Sequence, residues 1–63
     1  MPIVNVHILE GRTVEQKRRL VHEMTQTICS CLDVPAEKVR IIITDMKKSD
    51  FAVAGVLASD RDK

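Results

Sequence analysis

Two β-branched apolar segments flank a single amphipathic segment, and this order leaves the chain few ways to fold. The segments PIVNVHIL at 2–9 and VRIIIT at 39–44 have the composition of strands. Between them, residues 14–32 carry apolar side chains at helical spacing along one stripe. Strand, helix, strand in this order predicts a βαβ unit with parallel strands and a right-handed crossover.

Local signals mark both ends of the predicted helix. Thr13 followed by Gln16 matches a capping box. Residues 33–35, DVP, end the helix because the residue before a proline is pushed out of the α region. Lys17 lies inside the apolar stripe, and we expect its stem to cover apolar surface while its ammonium reaches water.

The remainder of the chain is short. Residues 45–50 form a polar loop, and the apolar segment after them, with a glycine at 55, predicts a short hairpin or arm. Residues 1–63 therefore form one domain. The predicted fold class is α+β: a single βαβ unit with parallel strands, one long helix and a short C-terminal hairpin or arm.

A chain of 63 residues cannot stabilise itself easily. A lone fold of this size buries about 60% of the unfolded surface, so that a hydrophobic gain of about 90 kcal/mol meets an ordering cost of about 95 kcal/mol. Cys29 and Cys31 are two apart on the helix and point about 200° from each other, so they cannot pair. Together with His7 and His22 they match no zinc spacing. We expect packing thiols, no metal and self-association.

The predicted sheet also favours self-association. Two strands under one helix leave the other sheet face and both edges bare, so Ile3, Leu9 and Ile42 would lie in water. This arrangement predicts at least a dimer, or a higher closed symmetric assembly in which sheets pack face to face and the arm covers a neighbouring edge.

Charge and hydropathy exclude several classes of partner. Ten Lys and Arg against nine Asp and Glu give a formal charge of +1, which creates no field to attract nucleic acid or an acidic membrane. The apolar stretches are too short to span a bilayer, and the start does not resemble a signal peptide. We therefore expect a cytoplasmic protein.

Proline directly after the initiator methionine is the least ordinary feature of the chain. Removal of Met1 would leave Pro2 with a free secondary amine, and α-amino groups have a pKa near 8. Burial or a nearby cation lowers such a pKa, which makes the amine a usable general base near neutral pH. Proline also suits the first position of a strand, so a purely structural role stays open.

Two arginines give Pro2 a chemical context. In a parallel βαβ unit Arg40 starts the second strand and lies near Pro2, whereas Arg12 lies roughly 30 Å away at the far end. In an antiparallel dimer a neighbour's Arg12 would arrive beside Pro2. Two guanidiniums at one site favour a substrate that bears carboxylates. The arginines could instead pair with nearby carboxylates, namely Glu10, Glu37 and Asp45.

For Phe51 a structural role fits as well as a functional one, and for His7 a structural role fits better. Phe51, the single aromatic residue, fits core filling and a pocket wall about equally well. His7 shares a strand face with Ile3 and Asn5, which favours an interface hydrogen bond over a role as a base.

Several segments carry a family resemblance from end to end. They are PIVNVHILEGR at 2–12, EQK at 15–17, VRIIITDM at 39–46, Phe51, and LAS at 57–59. In these segments the chain resembles the 4-oxalocrotonate (2-hydroxymuconate) tautomerase family, part of a superfamily that uses an amino-terminal proline as catalyst. The resemblance implies the βαβ fold above, assembled as a homohexamer that is a trimer of dimers.

The resemblance also implies roles for four residues. Pro2 is the general base, a neighbouring subunit's Arg12 holds the distal carboxylate, and Arg40 engages the other carboxylate and the keto oxygen. Phe51 forms part of the apolar wall that keeps the pKa of the proline nitrogen low. The implied reaction is ketonisation of 2-hydroxymuconate to 2-oxo-3-hexenedioate, a step in aromatic hydrocarbon catabolism, without metal or organic cofactor.

The chain departs from the family pattern near its end, and other functions stay open. Ala52 and Ala54 stand where glycines are common in the family, so the arm could follow a different path, and the DRDK tail at 60–63 is more acidic. The same proline and arginines could serve a dehalogenase, hydratase or decarboxylase, in which Glu10 or Asp45 would position water. A noncatalytic oligomeric binding module is the alternative from another class.

Overall fold

A computed structural model describes residues 1–61; Asp62 and Lys63, the end of the predicted domain and of its acidic tail, lie outside the described residues. The regular elements are β1 (Ile3–Leu9), α1 (Val14–Leu32), β2 (Arg40–Met46), β3 (Ala52–Val53), β4 (Val56–Leu57) and α2 (Ala58–Arg61). Single 3-10 turns cover Ala36–Lys38 and Lys48–Asp50. The short helix α2 was not predicted.

The two long strands are parallel, as the strand–helix–strand order predicts. Their register runs from Ile3 opposite Arg40 to Leu9 opposite Met46. The predicted bounds of the second strand, 39–44, were wrong by one residue at the start and two at the end. Residues 45 and 46 belong to the strand rather than to a polar loop, because they pair with Ile8 and Leu9 of β1.

Helix α1 begins and ends where its local signals predict. The backbone N–H of Gln16 donates to Thr13 Oγ1 at 3.1 Å, and the backbone N–H of Thr13 donates to Gln16 Oε1 at 2.9 Å. The reciprocal pair satisfies two donors of the first turn. At the other end Asp33 adopts a left-handed conformation with φ 55°, a frequent helix stop, two residues before Pro35.

The sheet has one covered face and one bare face. Val4, Val6 and Ile8 are half-buried beneath α1, whereas Ile3 and Ile42 remain 55% and 53% exposed on the opposite face. The expectation that apolar residues of this face lie in water is therefore confirmed for these two.

Leu9 is an exception to the predicted exposure of that face. It is half-buried and shares a groove with Phe51, Val53 and Val56. The C-terminal hairpin thus lies near the last residue of β1, which the sequence did not predict.

Two features of the helix stripe were not predicted. The Lys17 ammonium, which was expected to reach water, also has an ion-pair partner: its Nζ lies 3.3 Å from Asp45 Oδ2, and its side chain is 27% exposed. Cys29 is half-buried, but Cys31 is exposed, so only the former packs in this protomer. The apolar side chains at the two ends of the stripe are exposed: Val14 and Leu32 are 61% and 58% exposed.

The protomer does not enclose a core. No side chain of residues 1–61 is fully buried, and the accessible surface is 4952 Å², against about 4,100 Å² expected for a folded monomer of 7.1 kDa. The radius of gyration is 14.8 Å, against about 11 Å for a compact domain of this length. Within residues 1–61, no helix combines the length and hydropathy needed to cross a bilayer.

Candidate active site

Pro2 and Arg40 lie side by side where the two parallel strands begin. The backbone N–H of Arg40 donates to the carbonyl oxygen of Pro2 at 3.0 Å, so the prediction that parallel strands bring them together is confirmed. Arg40 Nη1 donates to the backbone carbonyl of Glu37 at 2.5 Å, which orients the guanidinium. Pro2 is half-buried, and Met1, which acylates its nitrogen in the unprocessed chain, is 74% exposed.

Arg12 lies at the opposite end of the same strands. It follows Gly11, whose φ of 115° turns the chain from β1 towards α1; the seven residues of β1 separate it from Pro2 by about 20 Å of strand. No hydrogen bond or ion pair engages the Arg12 side chain within the described chain. It borders a groove of about 260 Å³ whose other walls are Ile8, Gln16, Lys17 and Leu20.

Two of the three carboxylates that could have paired with the arginines, those of Glu10 and Asp45, are engaged elsewhere. Glu10 Oε2 accepts the backbone N–H of Lys48 at 2.9 Å. Asp45 pairs with Lys17. The Arg40 guanidinium binds the backbone carbonyl of the Ala36–Lys38 turn rather than a carboxylate. The alternative in which Glu10, Glu37 or Asp45 neutralises these arginines is therefore wrong for this protomer.

Phe51 also lies beyond the carboxyl ends of the strands, at the end of the molecule that carries Arg12. Its side chain is 38% exposed and borders a groove of about 260 Å³ together with Leu9, Val53, Val56, Ala58 and Arg61. Phe51 thus borders a surface groove of the protomer and is not enclosed in a core. Arg61 Nη2 donates to the carbonyl of Val53 at 2.9 Å, which fastens α2 to the hairpin.

The turn of the hairpin contains the departure from the family pattern. Ala54 and Gly55 have φ values of 54° and 80°, and both lie in the left-handed region that two-residue hairpin turns require. The hairpin pairs Ala52 with Leu57 and Val53 with Val56. The alanine at 54 therefore accepts an unfavourable conformation, and the arm forms a hairpin nonetheless.

One protomer thus carries two separate clusters. The first, at the amino ends of the strands, contains Pro2 and Arg40; the second, at the carboxyl ends, contains Arg12 and Phe51. Sequence reasoning missed the Lys17–Asp45 and Glu10–Lys48 contacts, which fix the second cluster. The only available signal for the Lys17–Asp45 contact was the alternating pattern that continues through Asp45 into Met46 at the end of VRIIITDM.

Within residues 1–61, no cluster of three or more His, Cys, Asp and Glu side chains is arranged to hold a metal ion. The chemical groups available are the proline nitrogen, two guanidiniums and apolar walls. A base beside cations suits proton transfer on an acidic organic substrate.

A small βαβ protein with a proline at position 2 and arginines at the strand ends is the class that the fold and the site define. Residues 2–61 match the family described as "Tautomerase enzyme", and the chain belongs to that family. It is an isomerase of the 4-oxalocrotonate tautomerase type.

Individual relatives cover nearly the whole chain. The chain is 51% identical over 59 residues to a 2-hydroxymuconate tautomerase of Pseudomonas putida, with 94% of each chain covered. Its structure is similar to the 4-oxalocrotonate tautomerase isozymes from Methylibium petroleiphilum, with a TM-score of 0.93, 44% identity, and 97% and 95% of the two chains covered. It is also similar to a heterohexamer 4-oxalocrotonate tautomerase from Chloroflexus aurantiacus, with a TM-score of 0.89, 30% identity, and 95% and 97% covered.

Proposed function

We propose that this protein is a cofactor-independent keto–enol tautomerase that converts 2-hydroxymuconate to 2-oxo-3-hexenedioate in the cytoplasm. The observation that carries the proposal is the position of Arg40, whose backbone is bonded to Pro2 at 3.0 Å. A guanidinium beside the terminal proline favours the neutral amine and attracts a carboxylate substrate at the same time. The 2-hydroxymuconate tautomerase of Pseudomonas putida supports the choice of substrate.

Pro2 acts as the general base once Met1 is removed. Its freed secondary amine takes the proton from the 2-hydroxyl group and returns a proton to C5 of the substrate, so that the enol becomes the conjugated ketone. The neighbouring Arg40 and the apolar surroundings lower the pKa of the amine below the usual value near 8. A larger fraction of the amine is then neutral at the pH of the cell.

Arg40 stabilises the charge that develops during the transfer. As the hydroxyl proton leaves, negative charge spreads over the dienolate and its oxygen. A guanidinium held in place by the Glu37 carbonyl needs little reorganisation to meet that charge, which lowers the barrier more than it strengthens ground-state binding. The two parallel N–H groups of the Arg40 guanidinium also match the substrate carboxylate next to the keto oxygen.

Arg12 and Phe51 act on a neighbouring protomer's Pro2. Within one chain the length of β1, about 20 Å, and two further residues separate Arg12 from Pro2, and the Arg12 guanidinium has no partner among residues 1–61. Supplied across an interface, Arg12 would hold the distal carboxylate of the substrate. Phe51, already a groove wall, would keep water away from the proline nitrogen.

The oligomer that brings the two clusters together is proposed to be a homohexamer, a trimer of dimers. The protomer alone has no buried side chain among residues 1–61, and Ile3 and Ile42 stand bare on its sheet. Packing of bare faces in a closed symmetric assembly buries this surface. The hexameric state of the relative from Chloroflexus aurantiacus supports the same number of chains.

The other enzymatic candidates receive less support. A hydratase, dehalogenase or decarboxylase of this kind needs an acidic residue to position water, and the two candidates for that task were Glu10 and Asp45. Both carboxylates are engaged, one by the Lys48 N–H and the other by Lys17. The noncatalytic binding module differs from all of these in needing no free amine at Pro2.

The test compares two forms of the chain, one that begins at Pro2 and one that retains Met1, each verified by intact mass. Loss of ultraviolet absorbance by 2-hydroxymuconate reports the reaction. We expect the form that begins at Pro2 to turn over at least about a hundredfold faster, because the amide nitrogen of the longer form has no basic lone pair. Equal rates would remove the proline amine from the mechanism, and no turnover by either form would favour the binding module.

A further inference from the structure

Glu10 joins the two loops that carry the second cluster. It follows the last residue of β1, and its backbone N–H donates to the Met46 carbonyl at 2.7 Å, which continues the parallel ladder. Its carboxylate Oε2 then accepts the backbone N–H of Lys48 at 2.9 Å, across 38 residues of sequence. One residue thus binds both the end of β2 and the loop beyond it.

The Lys48 N–H is a donor that its own turn leaves unsatisfied. Lys48 begins the 3-10 turn Lys48–Asp50, and the preceding Lys47 supplies no side-chain cap. First-turn N–H groups of helices lack internal partners, and a carboxylate is a favourable acceptor for them. Glu10 supplies that cap from another part of the chain, through a charge-assisted hydrogen bond.

The capped turn leads directly into Phe51. The backbone N–H of Asp50 closes the turn on the carbonyl of Lys47 at 2.8 Å, and Phe51 leaves it in an extended conformation with φ −135° and ψ 130°. Its carbonyl then accepts the backbone N–H of Ala58 at 2.8 Å. The direction in which the Phe51 side chain leaves the loop therefore depends on the turn that Glu10 caps.

On its other side Glu10 is two residues from Arg12. Gly11 between them turns the chain with φ 115°, so the position of Arg12 depends on how firmly Glu10 is held. Glu10, Arg12 and Lys48 border one open groove of about 540 Å³. The Glu10–Lys48 hydrogen bond thus lies at the side of the surface that Arg12 presents.

We propose that Glu10 is a positioning residue for the tautomerase reaction, because its carboxylate holds the Arg12 loop and the Phe51 loop in one fixed arrangement. The inference rests on the roles assigned above to Arg12 and Phe51. Glu10 itself touches no substrate; it sets the distance between a cation and an apolar wall that must meet the same substrate molecule. Loss of the hydrogen bond would move both of them relative to the neighbour's Pro2.

The test removes each partner of the hydrogen bond separately. Glu10→Ala deletes the acceptor, whereas Glu10→Gln keeps an acceptor oxygen and deletes the charge. We expect Glu10→Ala to lower kcat/KM about tenfold, for monocarboxylate and dicarboxylate enols alike, and Glu10→Gln to recover most of the loss. A purely electrostatic role beside Arg12 would instead make both variants equal and would spare monocarboxylates.

Lys48→Pro deletes the donor, the backbone N–H of residue 48. It tests the same hydrogen bond independently if a Glu10 variant fails to fold. Lys47 has φ −67° and ψ 147°, a conformation that suits the residue before a proline, and proline is tolerated at the first position of a helical turn. Lys48→Ala is the matched control, because it removes the same side chain but keeps the N–H. We expect Lys48→Pro to lie about tenfold below Lys48→Ala in kcat/KM.

Amide exchange gives a readout that does not depend on activity. The Lys48 N–H should be protected in the unmodified protein and in Glu10→Gln, and should exchange much faster in Glu10→Ala. Unchanged exchange and unchanged kcat/KM in Glu10→Ala, or equal rates for Lys48→Pro and Lys48→Ala, would overturn the inference. Arg12→Ala and Phe51→Ala are measured in parallel as reference variants. If both have full activity, the proposed site itself is wrong. If both are impaired while Glu10→Ala has full activity, only the positioning role of Glu10 is wrong.

Discussion

Pro2 and Arg40 are joined by a backbone hydrogen bond of 3.0 Å, which connects the residue before β1 to the first residue of β2. The pairing is a direct consequence of parallel topology, since parallel strands begin at the same edge of a sheet. It places the backbone of Arg40 beside Pro2, the residue whose nitrogen the proposed mechanism uses as a base.

Replacement of Pro2 tests the base directly. We expect Pro2→Ala to lower kcat about a hundredfold, because a flexible primary amine no longer holds its lone pair in the fixed direction that the pyrrolidine ring imposes. Steady-state rates with 2-hydroxymuconate give the measurement, and light scattering should report the same oligomer mass. Activity equal to that of the unmodified protein would assign the proton transfer to another group.

Replacement of Arg12 tests substrate recognition. Arg12→Ala should raise KM for 2-hydroxymuconate at least about tenfold, since a bidentate contact to the distal carboxylate is lost. A monocarboxylate enol such as phenylenolpyruvate has no distal carboxylate and should be affected much less. Rates for the two substrates, measured side by side on one preparation, decide the matter: equal losses would mean that Arg12 supports the fold or the chemistry rather than the distal group.

Ala54 offers a prediction about stability. Its φ of 54° costs an alanine roughly 1–2 kcal/mol, whereas a glycine adopts the left-handed region without that cost. Ala54→Gly should therefore raise the free energy of unfolding by a few tenths of a kcal/mol to about 1 kcal/mol, after the greater entropy of the unfolded glycine is offset. Chemical denaturation at matched protomer concentration measures the difference, and a destabilised variant would contradict the left-handed assignment.

Elements with local signals could be predicted from the sequence, whereas contacts between distant segments could not. The capping box of Thr13 and Gln16 fixes the start of α1 through residues three apart, so the prediction and the structure agree. The end of β2 depends on pairing with β1. The strand was predicted to end at residue 44 because Asp45 is polar. The ion-pair partner of Lys17 was missed for the same reason, because Asp45 lies on the helix side of the sheet only when β2 extends past Thr44.

The candidate site shows the same division. Proximity of Pro2 and Arg40 follows from strand order alone and could be predicted. The engagement of Glu10 by Lys48, separated by 38 residues, depends on where the loop after β2 turns, and no local pattern encodes that. The wall formed by Phe51 likewise depends on a hairpin whose turn contains an alanine with positive φ, a conformation that alanine rarely adopts.

The central claim is that each active site combines Pro2 of one protomer with Arg12 of another, and subunit mixing tests it most directly. Pro2→Ala and Arg12→Ala proteins, each impaired with 2-hydroxymuconate, are unfolded together, refolded at equal concentration and checked by native mass spectrometry for mixed oligomers. Random mixing in a symmetric assembly should restore up to about a quarter of the unmodified activity, because that fraction of sites receives both intact residues. Verified mixed oligomers that show only the average activity of the two parents would contradict the claim and assign the whole site to a single chain.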